Sequence, residues 1–190
     1  MGTITASVRA KKQATYQDVL DPPPHMVAEV LAGTLHTQPR PTMPHAWANS
    51  RLFGRLDGPF NPGDAGSGGW RIVCEPELHL DQDILVPDLA GWRHRTMPDY
   101  PETAYCEIAP DWVCEALSAS TRRIDMNEKR SIYAREGVSH LWFVDPGPKT
   151  LEIFRRHKEQ WILLTTLVDG DPVSQPPFDA ISFPLAALWT

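Results

Sequence analysis

Apolar residues recur along this 190-residue chain in two rhythms, one of period two and one of period about 3.6, and their alternation predicts the order of strands and helices. Met26–Leu31 alternates, Ala32-Gly33 reads as a turn, and Thr34–Thr37 continues the alternation, which predicts a hairpin with Glu29 in its first strand. Between His45 and Leu56, Ala48, Leu52 and Leu56 recur at i, i+4, i+8 with Phe53 beside them, a helical stripe that Pro59 and Pro62 should end. From Trp70 to Leu80 the even positions Trp70, Ile72, Cys74, Leu78 and Leu80 are apolar, as in a half-buried strand, and Asp81-Gln82-Asp83 reads as its turn. Ile84–Trp92 is apolar on both phases, as in a central strand, with Asp88 the one exception.

After a Pro-rich loop at His94–Pro110, Trp112–Leu117 is a second buried run, interrupted by Glu115. Ser118-Ala119-Ser120-Thr121 then opens a helix of about 13 to 16 residues, with Asp125 and Glu128 as a capping pair and Gly137 at its C-terminal end. His140–Val144 is a strand, and Leu151–Phe154 with Trp161–Val168 form a hairpin around Arg155–Gln160. The central portion therefore reads α-β-β-β-α-β, an α/β chain of the α+β kind with a mixed sheet flanked by helices. Residues 1–24, with Pro22, Pro23 and Pro24, read as a flexible arm with one helical turn near Tyr16–Leu20; 25–168 is the domain; 169–190 is a Pro-rich tail packed on it. The stretch Gly63–Gly69 is a flexible connection, since no strand precedes it and no GK[ST] follows, as a phosphate-cradling loop would need.

Composition excludes several classes. The longest apolar stretch near the end, Trp161–Val168, is broken by Thr165 and Thr166 and is far short of the roughly 20 residues of a membrane span. The N-terminus lacks the apolar block of a signal peptide, so a cytoplasmic protein is expected. Cys74, Cys106 and Cys114 form no CxxC pair and leave one over, which fits reduced, mostly buried thiols rather than disulfides or zinc. The net charge of −6 offers no broad basic face, so any nucleic-acid contact must be local.

Asp88 in ILVPDLAGW and Glu115 in WVCEALS are the residues that ask for a chemical explanation. A buried carboxylate without a partner neutralises itself, and two on neighbouring strands repel, whereas a shared hard cation stabilises both. Oxygen ligands without a Cys/His set point to Mg²⁺ or Mn²⁺, and that ion beside two carboxylates suits phosphodiester hydrolysis. Such a site also needs a cation for the charge that grows on phosphate oxygens. Asp125, Lys129 and Tyr133 share one stripe of the helix after Glu115, so Lys129 can face the site, and Arg122 and Arg123 at that helix's start suit phosphate contacts.

These residues carry a resemblance. Asp88 in VPDLAGW, Glu115 in DWVCEALSAST, the Asp125–Lys129 pair and the run Ile132–Pro146 (IYAREGVSHLWFVDP) resemble the Uma family of putative restriction endonucleases, within the PD-(D/E)xK nuclease superfamily. The similarity spans about Val27 to Phe154 and takes in Glu29 and His45. It implies a restriction-endonuclease-like αβββαβ core, with the N-terminal and C-terminal hairpins added, a Mg²⁺ site at Asp88 and Glu115, and DNA as substrate. Leu117 stands where the lysine of ExK belongs; the resemblance moves that role to Lys129 and makes Glu29 an extra acid.

Each residue also has a plainer reading: Asp88 and Glu115 as hydrogen-bonded structural acids, Lys129 paired with Asp125 on a solvated face, Asp125 as an N-cap, Glu29 as a solvent-facing strand residue, and His45 as a helix-start residue. A chain with no ExK lysine and net acidity could instead be a catalytically silent nuclease-like module that binds a partner or nucleic acid, and a third reading is hydrolysis of some other phosphoester. Hairpin alternation leaves sheet edges that lead us to expect a homodimer.

Overall fold

Local signals form the helical turn expected near Tyr16–Leu20. The Asp18 carboxylate accepts a hydrogen bond from the Thr15 amide at 2.8 Å, as at a capped N-terminus, and α1 (Tyr16–Leu20) is one short turn. A computed structural model describes residues 13–61 and 69–190; the expectations for residues 1–12 and for the Gly-rich connection at 62–68 lie outside the described residues. β1 (Met26–Leu31) and β2 (Thr34–Pro39) pair antiparallel about Ala32 and Gly33, both at positive φ, with Glu29 opposite His36. α2 (Met43–Phe60) is longer at both ends than its stripe predicts. Pro44 sits in the first turn, where no intrahelical N–H is needed, and Pro59 falls in the last turn and does not stop the helix before Phe60. Its buried face is His45, Ala48, Leu52, Leu56 and Phe60.

The two long strands expected at Trp70–Leu80 and Ile84–Trp92 are each broken in two. β3 (Trp70–Cys74) and β4 (Leu78–Leu80) are separated by Glu75, at φ +47°, Pro76 and Glu77; β5 (Asp83–Leu85) and β6 (Leu89–Arg93) are separated by Val86, Pro87 and Asp88. Left-handed backbone on one strand and an imide without an N–H on the other end the ladder at the same level. The hairpin bends there and enters a second sheet of order β2-β1-β5-β4. Asp88 thus stands at the bend, just before β6, and not within a continuous strand.

β7 (Trp112–Ala116) is buried at every residue. The helix after it has three parts: α3 (Arg122–Ile124), a π turn (Asp125–Lys129) and α4 (Arg130–Arg135). Asp125 is therefore inside the helix and buried, not at its cap. Gly137 ends it as expected: at φ +89°, its amide reaches the Ala134 carbonyl at 3.3 Å while the Val138 amide reaches that of Tyr133 at 3.0 Å, the paired bonds of a Schellman end. β8 (His140–Asp145) pairs parallel to β7, and β9 (Thr150–His157) and β10 (Gln160–Val168) complete a six-stranded sheet of order β10-β9-β8-β7-β6-β3. Within it, α2, β3, β6, β7, the three-part helix and β8 follow the predicted αβββαβ order.

Alternation on β7 sets the two layers. Trp112, Cys114 and Ala116 face α2 with Leu52 and Leu56, and Val113 and Leu117 face the other side with Ile132 and Tyr133. Glu115, in the second phase, points toward the helix that follows it. Residues 169–190 are more than a tail on the surface. β11 (Pro172–Val173), β12 (Phe183–Pro184) and a 3₁₀ turn (Leu185–Leu188) close the α2 layer, and the Phe178 ring lies 4.9 Å from those of Phe60, Trp70 and Trp112. Cys106 and Cys114 are buried free thiols, but Cys74 is exposed at the bend. Among the described residues no helix is long and apolar enough to cross a membrane.

Candidate active site

The bend in the hairpin and the C-terminal part of β7 place two carboxylates together. Leu89 pairs with Cys114 at the end of the β6–β7 ladder, so Asp88 and Glu115 lie side by side just beyond it. The Asp88 amide lies 3.4 Å from Glu115 Oε2, and Asp88 Oδ2 accepts a hydrogen bond from the Ala116 amide at 2.7 Å. Both residues line one cavity, whose wall includes Arg40, His45, Asp125 and Lys129. His45, in the first turn of α2, sits with Nε2 2.6 Å from Asp88 Oδ1, and its buried Nδ1 has no partner among the described residues. His45 thereby orients Asp88; its part goes beyond starting a helix.

Lys129 comes from the π turn, whose widened backbone sets Asp125 and Lys129 both inward. Its ammonium is 2.7 Å from Glu115 Oε1, 3.0 Å from Glu29 Oε1 and 3.7 Å from Asp125 Oδ1, with the side chain 1% exposed. The solvated Asp125–Lys129 pair is therefore not what forms, and Glu29 is no solvent-facing strand residue. Glu29 also accepts from the Val86 amide at 2.8 Å, so it holds Lys129 and the bend at once. Tyr133, one turn on, donates to Glu115 Oε1 at 2.6 Å.

Arg122 and Arg123 do not line this cavity. Arg122 is ion-paired with buried Asp145, and Arg123, largely exposed, lies 3.6 Å from Glu128. Sequence reasoning missed Arg40 and the hydroxyl of Tyr133. Tyr133 has a signal in the stripe it shares with Asp125 and Lys129; Arg40, in a Pro-rich loop, has no periodic context at all.

A family model described as "Putative restriction endonuclease", Uma2, matches residues 13–186. The chain belongs to the Uma2 family. No curated protein matches it. Among solved structures it is similar to one described as a putative nuclease belonging to DUF820 from Anabaena variabilis ATCC 29413, with a TM-score of 0.74, 19% identity, and coverage of 93% of this chain and 97% of that one. At that identity the likeness speaks for the fold alone, a mixed α/β fold.

Electrostatics of the Uma2 site favour a cation. Glu29, Glu115 and Asp125 surround the one ammonium, with Asp88 on the same cavity wall, so the formal balance with all four ionised is negative. Burial pushes the Glu115 carboxyl well above its usual range against the pull of Lys129, and burial likewise raises Asp125. For Lys129 burial acts to lower the pKa, but Glu115 and Glu29 together raise it, and the ammonium stays charged. Among the described residues no group of three or more His, Cys, Asp or Glu side chains is arranged to hold a metal. The donor set is two carboxylates, Asp88 and Glu115, on one cavity wall. That fits Mg²⁺, which uses one or two carboxylates and keeps water or substrate oxygens in its other positions.

Proposed function

We propose that this chain is a divalent-metal-dependent endonuclease that hydrolyses phosphodiester bonds of DNA, with Asp88 and Glu115 holding Mg²⁺ or Mn²⁺ and Lys129 in the role of the absent ExK lysine. The observation that carries this reading is the approach of Lys129 Nζ to within 2.7 Å of Glu115 Oε1 beside Asp88 on one cavity wall, although Leu117 occupies the expected lysine position. A bound ion would polarise a phosphoryl oxygen and lower the pKa of a coordinated water.

The chain's own residues do the rest. Lys129 stays protonated and stabilises negative charge that develops on the phosphoryl group in a water-poor site. Tyr133 and Glu29 fix the positions of Glu115 and Lys129, and His45 fixes that of Asp88, so the acids need not reorganise during the reaction. Glu29 acts here as the anchor of Lys129, since its Oε1 is engaged by both Lys129 and the Val86 amide.

Cleavage of plasmid DNA in Mg²⁺ or Mn²⁺, beside small phosphodiesters, tests the proposal. Wild-type chain should cleave DNA, and Asp88→Ala and Glu115→Ala should each abolish cleavage. Activity that survives both substitutions rejects the assignment; DNA binding without cleavage favours the silent module; turnover of small phosphodiesters alone favours another phosphoester. We also propose that the chain works as a homodimer, supported by the open, uncharged edge of the strand β10.

A further inference from the structure

A polyanionic substrate entering this cavity meets Glu75, Asp88, Glu115 and Asp125 on its wall. A metal ion offsets part of that charge, but the phosphates flanking the scissile bond still need a cation of the protein's own. Of the lysines and arginines described, only Lys129 and Arg40 line the cavity. Lys129 is enclosed by three carboxylates. Arg122 and Arg123 are occupied with Asp145 and Glu128 and lie off the wall.

We propose that Arg40 is the residue that grips the substrate's phosphate beside the metal site, an inference that rests on the nuclease reading above. Arg40 is exposed, and its guanidinium has no hydrogen bond or ion pair among the described residues. Its backbone is nonetheless fixed. Pro39 is the last residue of β2, paired with Met26; the Arg40 amide reaches the His25 carbonyl at 3.3 Å; and Pro41 follows, one residue before Thr42 at the N-cap of α2. Two prolines restrict φ on either side, so the loop that carries the guanidinium loses little backbone freedom when it binds. The planar guanidinium matches phosphate oxygens two at a time. Thr42, whose side chain makes no capping bond, lines the same wall and offers a hydroxyl next to it.

The test is binding of a short labelled DNA duplex by fluorescence anisotropy, with Ca²⁺ in place of Mg²⁺, across a NaCl series. Arg40→Gln should weaken binding about tenfold at low salt and reduce the slope of log K against log salt by about one; Arg40→Lys should keep the slope. In Mg²⁺ Arg40→Gln should raise KM and leave kcat nearly unchanged. Lys158→Gln is the control. It changes an exposed cation in the β9–β10 turn at the other end of the sheet, since Glu115 pairs with Phe143 and Phe143 with Glu152, six residues before it. A wild-type slope in Arg40→Gln, or an equal loss in Lys158→Gln, overturns the assignment. A wild-type chain that binds but does not cleave removes the enzyme reading and leaves Arg40 to be judged on the slope; one that binds no DNA removes both.

Discussion

Lys129 shows how much one side chain carries. It is the single ammonium among Glu29, Glu115 and Asp125, so Lys129→Met leaves buried carboxylates without their partner. Breaking such a cluster by removing one member costs about 3 to 5 kcal/mol. Urea denaturation should register a loss of that order, and adding Glu115→Gln to Lys129→Met should recover part of it, because a neutral amide no longer needs the ammonium. Additive losses would mean that the two groups do not interact. His140 makes a separate prediction. Burial, with Arg93 and Arg155 nearby, lowers its pKa from 6.5 to about 4. The unfolded chain therefore takes up a proton at His140 first as pH falls, and the contribution of His140 to stability should decline between about pH 6.5 and 4 and be flat above that window. The loss is at most about 3 kcal/mol and smaller once solvent screening of this half-buried group is allowed for. His140→Gln should flatten that limb in denaturation curves taken at pH 7.5 and at pH 5, and an unchanged limb would place the proton uptake elsewhere.

Among elements, the three-part helix between β7 and β8 decides where the cation lands. Its π turn rotates Asp125 and Lys129 inward together, something an uninterrupted α-helix starting at Arg122 would do at a different angle. Its end is set by Gly137 at φ +89°, where a new Cβ would meet nothing closer than Arg156 Nη2 at 3.8 Å. Space is therefore not the obstacle to Gly137→Ala; left-handed backbone is, at a cost of about 1 to 2 kcal/mol. A fall in thermal midpoint with an unchanged metal requirement is the expected result, and no fall would mean that the helix end relaxes. Gly137 was legible in the sequence because a cap needs only its own residues. The π turn was not, since the register of Asp125 and Lys129 is chosen by the buried acids they meet.

Across the whole molecule, the edge strand β10 stands out. Its nine residues contain no charge and no proline, and Ile162, Leu163, Leu164 and Val168 on it are all exposed. Charges and prolines are the usual protection of a free edge, and their absence suits antiparallel pairing with the same strand of a second copy. Light scattering at micromolar concentration should give a dimer, and Leu163→Lys, which sets two like charges near each other across the symmetric edge, should give a monomer of the same fold by circular dichroism. A wild-type monomer would overturn the pairing. The C-terminal segment belongs to this scale too: its prolines suggested a covering tail, yet Phe178 lies among Phe60, Trp70 and Trp112 at the centre of one layer.

The chain's pattern alone determined the α-β-β-β-α-β order, the end of the helix at Gly137, and the two acids that interrupt apolar runs, because periodicity, capping and the cost of burying charge are local properties of a segment. Its residues also carried the family resemblance that the match over 13–186 bears out. Only the folded chain decided that Glu29 and Tyr133 engage Lys129 and Glu115, that His45 meets Asp88, that Arg122 is spent on Asp145, and that two long strands bend into a second sheet. Those partners lie 18 to 100 residues apart, as Tyr133 and Glu115, or Lys129 and Glu29, illustrate. No short-range pattern encodes such meetings; they follow from which layers pack and where the ladder breaks.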